Sequence, residues 1–249
     1  FGFEMKVGFS TRPEQSIGRE PELSDSERAE WDELWSGAER HLREVLESSD
    51  LDFELFEGDG AFYGPKIDFH VRDALMRWHQ LGTIQLDFAM PKRFGLKYTN
   101  EESGESQPVM IHRAILGSLE RFIGVYIEHC AGDFPVWLAP VQARVIAVND
   151  DLLDYAEEVA DAFRAHDVRI RVDHRNEKLG FKIRDAELNK VPYMAVVGER
   201  EAEAGTVAVR KRGAGKKQDV VAREDFVAEL AEEARSRSLG GRLENPGEG

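Results

Sequence analysis

The sequence has few of the features that mark secreted or membrane proteins. It contains a single cysteine, Cys130, so no disulfide can form within the chain, and this favours a reducing compartment. No apolar run approaches the roughly 20 residues that a bilayer-spanning helix requires, and no signal peptide is recognisable. We therefore expect a cytoplasmic protein with no membrane partner.

An initiator methionine is also missing, because the chain begins Phe1-Gly2-Phe3, and we expect it to be a fragment of a longer protein. Its 249 residues still suffice for one large or two ordinary domains, each with a buried core. A content of 41% hydrophobic and 33% charged residues is typical of a soluble, globular protein.

Acidic residues outnumber basic ones, 48 to 33, so the net charge is −15, and this argues against nucleic acid as a partner. The balance reverses between residues 164 and 217, where 14 Lys and Arg outnumber 8 Asp and Glu. That stretch carries +6, so the remainder carries −21. Such an asymmetry is typical of a nucleic-acid-binding module on an acidic protein. Chance fluctuation in a charge-rich sequence explains it about equally well.

The first part of the chain, up to a proline-containing boundary near 135–140, combines strands with two long helices. Helices are predicted at 24–48 and 113–129, and strands at 53–56, 66–71 and 82–88. In the first helix apolar residues recur at spacings of three and four, as in Trp31, Leu34 and Trp35.

The second part alternates strands and helices in the order β-α-β-α-β-β-α. Strands are predicted at 144–148, 168–172, 193–197 and 206–210, and helices at 152–166, 179–189 and 223–235. Strands separated by helices predict a largely parallel sheet covered on both faces. The last residues, 240–249, are rich in Gly, Glu and Pro, and we expect a disordered tail there.

Three residues of the predicted helix 113–129 could belong to a ligand site. Gly117, Arg121 and Gly124 are spaced to share one helical face. The glycines would let a flat ligand approach, and Arg121 could then grip a phosphate with two hydrogen bonds. Tight packing of this face, with Arg121 paired to a carboxylate, explains the same spacing better.

The strand 82–88 and the glycine-rich loop before it also admit two interpretations. Thr83 and Gln85 lie on the polar face of the strand and could bind a small polar substrate, but such a face is equally typical of an antiparallel strand exposed to water. Tyr63, beside Gly64 and Pro65, could contact a ligand or simply belong to a hairpin turn.

Longer stretches of the sequence resemble one enzyme family. Residues 107–124 read QPVMIHRAILGSLERFIG, and four further segments are GDGAFYGPKIDF at 58–69, QLGTIQLDF at 80–88, FPVWLAP at 134–140 and RNEKLGFKIR at 175–184. In content and order these segments are similar to motifs of bacterial threonyl-tRNA synthetases, and 107–124 resembles the third class II motif. The resemblance extends from residue 1 to about residue 239. The pairing of His112 with Arg113 favours this family over the related proline and histidine enzymes.

The resemblance implies the fold class and the domains. Residues 1–138 would be the C-terminal portion of a class II catalytic domain, an α+β structure on an antiparallel sheet. Residues 139–239 would be an α/β anticodon-binding domain on a mixed, mostly parallel sheet, and 240–249 the tail. The intact enzyme would be a homodimer that activates threonine with ATP and Mg²⁺ and transfers it to tRNA(Thr).

The resemblance also implies roles for individual residues. Arg121 would contact the ATP phosphates and act in catalysis. The ATP-binding set would be Lys66, Gln80, Thr83, Ser118 and Arg121, and the threonine-binding pair Tyr63 and Gln85. The anticodon contacts would be Asn176, Lys178, Glu201 and Arg210, although an exposed charged rim explains Lys178 and Glu201, taken singly, equally well.

His112 would be one ligand of a zinc ion that binds the amino and hydroxyl groups of threonine. A site that must ligate a hydroxyl rejects valine by roughly 10⁴-fold or more, which an apolar pocket cannot do. The other zinc ligands, a Cys and a His, and the first two class II motifs would lie upstream of Phe1. We therefore expect the chain alone to be inactive, and Cys130 to be a small buried hydrophobic residue.

Two alternatives to a ligase fragment stay open. The chain could be a tRNA-binding module without catalysis, or a synthetase paralogue with a regulatory or interaction role. The presence of Arg121, Gln85 and Tyr63 argues against a decayed site.

Overall fold

The computed structural model describes residues 1–239. They form two compact units, one made of Phe3–Tyr126 and the other of Phe1–Gly2 together with the chain from Ile127 onward. The tail expected at 240–249 lies outside the described residues. The domain boundary expected between 138 and 139 stays a prediction. None of the described helices is long and apolar enough to cross a membrane.

The first unit is built on a five-stranded sheet. Its elements are β1 (Met5–Ser10), α1 (Asp25–Glu47), β2 (Phe53–Phe56), β3 (Lys66–Arg72), β4 (Trp78–Asp87), α2 (Ala89–Arg93), β5 (Tyr98–Thr99), β6 (Glu105–Ser106), β7 (Met110–Ala114) and α3 (Leu119–His129), the last of which ends beyond the unit. The strand order is β2-β1-β3-β4-β7. All neighbours are antiparallel except β1 and β2, so the expected antiparallel sheet is confirmed.

Helix α1 confirms the helix predicted at 24–48. Ser24 caps its first turn by accepting a hydrogen bond from the backbone of Glu27, whose side chain accepts in return from Ser24. Trp35, Ala38, Leu42 and Leu46 are buried, whereas Leu34 is exposed. Leu42 and Leu46 pack with Phe9 and other residues of β1 and β3. The hydrophobic period therefore determines which face of the helix is buried.

The helix predicted at 113–129 is wrong in its first part. Residues 110–114 form β7, and helix α3 begins only at Leu119. Gly117 adopts the left-handed conformation with φ +64°, and a Cβ there would lie 2.6 Å from the carbonyl oxygen of Leu81. A helix cannot run through such a turn. Gly117 therefore does not share a helical face with Arg121, and a Cβ at Gly124 would meet no atom within 4 Å, so tight packing does not explain Gly124 either.

The second unit is built on another five-stranded sheet. Its elements are β8 (Ala143–Ala147), a 3₁₀ turn (Asp150–Leu152), α4 (Leu153–Arg164), β9 (Ile170–Val172), α5 (Leu179–Leu188), β10 (Tyr193–Val197), α6 (Glu199–Ala204), β11 (Thr206–Lys211), β12 (Asp219–Ala222) and α7 (Arg223–Ser236). The strand order is β12-β11-β10-β8-β9. Helices cover both faces: Phe163 of α4 and Phe226 of α7 pack on one face, and Ala186 of α5 packs on the other.

The second sheet is mixed, as expected. Two of its four strand pairs are parallel, however, so the sheet is not mostly parallel. Strand β8 is parallel to β9 and β10, whereas β10–β11 and β11–β12 are antiparallel. The difference comes from β12, a four-residue strand that was not predicted. Its sequence, DVVA, places two valines side by side and does not alternate, which is why the pattern missed it.

Candidate active site and nucleic-acid interface

Three predicted site residues form one row across the first sheet. Lys66 of β3 is the register partner of Gln85 of β4, and Gln85 is the partner of His112 of β7. Residues directly opposite each other on antiparallel strands project from the same face, with Cβ atoms about 5 Å apart. The fold therefore gathers side chains from positions 66, 85 and 112 on one surface.

Tyr63 joins this row from the loop before β3. Its phenol donates a 2.5 Å hydrogen bond to Oε1 of Gln85, and its ring centroid lies 5.9 Å from that of His112. Gly64 brings the loop this close, because a Cβ there would collide with the carbonyl oxygen of Leu86. Burial raises the pKa of the Tyr63 phenol above its usual value, so the hydroxyl remains a neutral donor.

His112 is oriented by a buried carboxylate. Nε2 of His112 lies 2.7 Å from Oδ2 of Asp87, a residue only 1% exposed. The other oxygen of Asp87 accepts the backbone N–H groups of Ala89 and Met90, which fixes the carboxylate at the start of α2. A histidine held by a carboxylate through one nitrogen is the usual arrangement of a metal ligand. His112 therefore fits the role of one zinc ligand, although residues 1–239 contain no cluster of three or more His, Cys, Asp or Glu able to hold a metal by themselves.

Lys66 and Gln80 converge on a second buried carboxylate, Asp68. Lys66 Nζ lies 2.5 Å from Oδ2 of Asp68 and 3.2 Å from Asp59, while Gln80 Nε2 donates to Oδ1 of Asp68 at 2.5 Å. Burial lowers the pKa of Lys66, but the bonds and charges of Asp68 and Asp59 outweigh it and hold the pKa above its usual value. Lys66 is therefore a protonated, positioned cation.

Thr83 has a hydroxyl that the protein does not satisfy. Its Oγ1 is buried and has no hydrogen-bond partner among the described residues. Thr83 is the register partner of Asp68 and so lies on the same face as Gln85, two residues along β4. A buried hydroxyl without a partner costs about 1–3 kcal/mol, and a ligand that bonds to it removes that cost.

Ser118 and Arg121 mark the beginning of α3. Ser118 Oγ accepts the backbone N–H of Arg121 at 3.3 Å and donates to Glu120 at 2.8 Å. The Arg121 side chain is exposed, and within residues 1–239 its guanidinium forms no ion pair, so the interpretation that it is paired to a carboxylate is wrong. A helix N-terminus with a free arginine favours binding of an anion. The turn before α3 lies against Leu81, which places it beside Gln80.

The predicted anticodon contacts fall in two places on the second unit. Asn176 and Lys178 are exposed in the loop between β9 and α5, and Glu201 lies in the first turn of α6, where it accepts the backbone N–H of Gly198 at 3.0 Å. Since β8, β9 and β10 are parallel, their carboxyl ends lie on the same side of the sheet, and these three residues follow the carboxyl ends of β9 and β10. Arg210 lies on β11 instead, and its Nε is buried without a partner among the described residues.

Several residues of the two sites were not singled out from the sequence. Asp68 and Asp87 alternate with apolar residues, like many surface carboxylates, and only the strand pairing shows that they are buried beside Lys66 and His112. In the second unit a cleft of about 490 Å³ lies between β9 and α5, and its walls include Arg144 and Arg171. The alternation of charged and apolar residues at 169–173 is a sequence signal that could have indicated this cleft.

Known proteins match both units. Residues 9–130 match the family model of the tRNA synthetase class II core domain (G, H, P, S and T), and residues 142–233 match that of the anticodon binding domain. The threonine–tRNA ligase of Desulforamulus reducens is 47% identical over 241 residues, which are 96% of this chain and 36% of that protein. That of Carboxydothermus hydrogenoformans is 49% identical over 239 residues, 95% of this chain and 35% of that protein. The chain belongs to the threonyl-tRNA synthetase family.

A solved member of the threonyl-tRNA synthetase family has the same fold. The crystal structure of the RNA binding domain of threonyl-tRNA synthetase from Cryptosporidium parvum Iowa II superposes with a TM-score of 0.80 at 36% identity, covering 93% of this chain and 55% of that one. The predicted family and the order of class II core before anticodon-binding domain are thus confirmed. The chain spans about a third of the length of the curated relatives that it matches.

Proposed function

We propose that this chain supplies part of the substrate site and the anticodon-binding domain of a cytoplasmic, homodimeric threonine–tRNA ligase, with the boundary between the two at 138/139. The observation that supports this most directly is the row of Lys66, Gln85 and His112, joined by the hydrogen bond from Tyr63, in a chain nearly half identical to such ligases. The enzyme would activate threonine with ATP and Mg²⁺ and transfer it to the 3′ end of tRNA(Thr).

The nucleotide would lie between the start of α3 and the polar face of β4. Arg121 has a free guanidinium and Ser118 caps the helix beside it, so both can face the ATP phosphates. Arg121 would stabilise the negative charge that builds up as the threonine carboxylate attacks the α-phosphate and pyrophosphate leaves. Thr83, with its unsatisfied hydroxyl, and Gln80 would line the adenosine pocket, with Lys66 nearby.

Threonine would lie over Gln85 and Tyr63. Tyr63 donates its proton to Gln85, which leaves the phenolic oxygen free to accept from the amino group of the substrate. His112, held by Asp87, would be one of the ligands of zinc. When bound, zinc would ligate the amino and hydroxyl groups of threonine and so discriminate against valine.

The second unit would bind the anticodon loop of tRNA(Thr). Lysine and arginine supply sequence-independent affinity for phosphates, and side chains that meet unstacked bases supply specificity. We assign these contacts to Asn176, Lys178, Glu201 and Arg210.

Equilibrium binding to tRNA tests the proposal on this chain directly. The chain should bind a tRNA(Thr) transcript about ten-fold more tightly than the same transcript with a replaced anticodon, because one or two polar groups would then lose their partners. Equal affinity for the two transcripts would contradict the proposal. Threonine-dependent exchange of pyrophosphate into ATP should be absent with this chain alone, and robust exchange would show that it needs no further residues.

A tRNA-binding module without catalysis is the second candidate. It is favoured by the likeness of 93% of this chain to a solved structure described as the RNA binding domain of a threonyl-tRNA synthetase. Equilibrium dialysis of the intact protein that contains this chain separates the two, since a ligase would bind both tRNA(Thr) and ATP, whereas a module would bind tRNA(Thr) and show no saturable ATP binding. No observation favours a regulatory paralogue.

A further inference from the structure

The cleft between β9 and α5 contains a cluster of arginines on one face of the second sheet. Arg144 of β8 and Arg171 of β9 are register partners, and their neighbours Val145 and Val172 are partners in turn. Val145 belongs to the core under α4 and α7, so Arg144 and Arg171 project from the opposite face, the one on which α5 packs. The side chains of Arg144 and Arg171 therefore lie next to each other on the last two strands of the sheet, β8 and β9.

Most of the charge in this cleft is neutralised internally. Arg144 Nη1 lies 2.6 Å from Oδ2 of Asp185, and Arg175 Nη2 lies 2.9 Å from the same oxygen. Arg175 also binds Asp173 through Nε and Nη2, at 2.8 and 2.6 Å. Hydrogen bonds from Arg175 hold the pKa of Asp173 below its usual value, and those from Arg144 and Arg175 do the same for Asp185. Both carboxylates are therefore ionised, and each is matched by a guanidinium.

Arg171 is the arginine of the cleft that remains unmatched. It is exposed, and within residues 1–239 it forms no ion pair. The cleft thus combines three guanidiniums with two carboxylates, and its surplus positive charge is that of Arg171. The ion pairs of Arg144 and Arg175 with Asp185 fix the wall beside it. A free guanidinium beside a fixed polar wall is suited to the planar, two-pronged recognition of a phosphate group.

The position of the cleft relates it to the proposed tRNA surface. Arg171 pairs with Arg144, Arg144 with Met194, and Met194 with Arg210, so these residues form one row on one face across four adjacent strands. With strands about 4.8 Å apart, Arg171 and Arg210 are separated by roughly 14 Å. The loop that follows β9 carries Asn176 and Lys178. Arg171 thus lies on the strand that leads into the loop of Asn176 and Lys178, and it shares a face with Arg210, with α5 packed on buried Met194 between the two arginines.

We propose that Arg171 binds a backbone phosphate of the tRNA and that the cleft between β9 and α5 is the binding site of that phosphate. The proposal rests on the proposed function, because it adds a contact to the same RNA-binding unit. Arg144 and Arg175 act as positioning residues, since their charges are already committed to Asp173 and Asp185. The ligand is a nucleic-acid phosphate, read without regard to base sequence.

The test is the salt dependence of tRNA(Thr) binding by this chain, measured by fluorescence anisotropy between about 50 and 200 mM salt. Arg171→Gln should weaken binding about three- to ten-fold and reduce the slope of log K against log salt by about 0.7–1, the loss of one phosphate contact. Arg171→Lys should keep the slope. Arg235→Gln is the matched control, because Arg235 is 79% exposed on α7, which packs on the opposite face.

The outcomes separate this inference from the function on which it rests. If Arg171→Gln binds like the unchanged chain while Lys178→Ala weakens binding, the phosphate site is refuted and the tRNA-binding function stands. If the unchanged chain does not bind tRNA(Thr), both fail. Nitrogen-15 spectra of the arginine side chains supply the second readout. The Arg171 signal should shift with micromolar anticodon stem-loop RNA, and a shift at equal concentrations of inorganic phosphate would mean a free-anion site and overturn the proposal.

Discussion

Tyr63 donates a 2.5 Å hydrogen bond to the side-chain oxygen of Gln85, and this bond joins a glycine-rich loop to the middle of a three-strand row. It also determines what Gln85 can offer a ligand, because its Oε1 is engaged while its amide N–H groups remain free to donate. The phenol is partly buried and stays neutral. A substrate with oxygen acceptors and an amino donor is therefore complementary to this pair.

Replacing Tyr63 by Phe removes that hydrogen bond without changing the volume of the ring. In an enzyme that contains this chain, Tyr63→Phe should raise KM for threonine about ten-fold, since one polar contact worth about 1–1.5 kcal/mol is lost. KM for ATP should change little. Steady-state exchange kinetics measure both, and an equal rise in the two KM values would indicate a general disturbance of the site instead.

Arg121 should be essential for rate and dispensable for folding. Its guanidinium makes no ion pair within residues 1–239, so Arg121→Gln should leave the free energy of unfolding within about 0.5 kcal/mol of the original. In an enzyme that contains this chain, the same change should lower kcat for adenylate formation about 10²–10³-fold, as expected when a donor to developing charge is lost. Arg121→Lys should restore little, because an ammonium cannot form the two-pronged contact. A variant that melts early would contradict this assignment.

Gly117 and Gly124 form a natural pair for testing the turn before α3. Gly117→Ala should destabilise the chain by at least about 1–2 kcal/mol, because alanine resists a φ of +64° and its Cβ would press on the carbonyl of Leu81. Gly124→Ala should instead stabilise by about 0.5–1 kcal/mol, since the residue lies inside α3 with open space around it. Urea denaturation measures both. Similar effects at the two positions would mean that the helix extends through Gly117.

Asp73 should make stability depend on pH in the acid range. It is buried in the β3–β4 hairpin and accepts hydrogen bonds from the backbone of Leu75 and from Arg77 and His79. Burial raises its pKa, but His79 and Arg77 outweigh this and hold the pKa well below the ordinary value of 3.8. The contribution of a carboxyl whose pKa is lowered by folding is complete above its unfolded pKa and is lost as the pH falls towards the folded one.

The stability difference between the unchanged chain and Asp73→Asn should therefore be constant near neutral pH and shrink below about pH 4. Urea denaturation at a series of pH values measures it, and comparing the two proteins cancels the titration of groups that do not contact Asp73. A difference that does not change down to the lowest pH at which the chain folds would show that the charge on Asp73 does not contribute.

Sequence periodicity is sufficient to predict the elements that are long and amphipathic. Helix α1 has both a capping box at Ser24 and an apolar stripe ending at Leu46, so local and tertiary signals agree. The helix before Leu119 was overpredicted because Ile115 and Leu119 continue the apolar spacing across the turn, and the left-handed backbone at Gly117 leaves no trace in that spacing. Strand β12 was missed because its residues, Asp219–Ala222, place two valines side by side and so do not alternate.

The resemblance to a known family identified the site residues. The strand register shows which of them are neighbours in space. Nothing in the sequence indicates that positions 66, 85 and 112 are neighbours, because register between distant strands is decided by the whole sheet. The same is true of Arg171 and Arg210, which are far apart in sequence and share one row. The buried partners Asp68 and Asp87 could not be predicted for the same reason.

A chimaera would show whether this chain supplies part of a threonine-activating site. This chain would replace the matching residues of the threonine–tRNA ligase of Desulforamulus reducens, to which it is 47% identical, and threonylation of tRNA(Thr) would be measured. We expect a folded, zinc-containing chimaera that forms threonyl-tRNA and loses that activity when Arg121→Gln is introduced. A chimaera that folds and binds zinc and tRNA(Thr), yet forms no threonyl-tRNA, would contradict it.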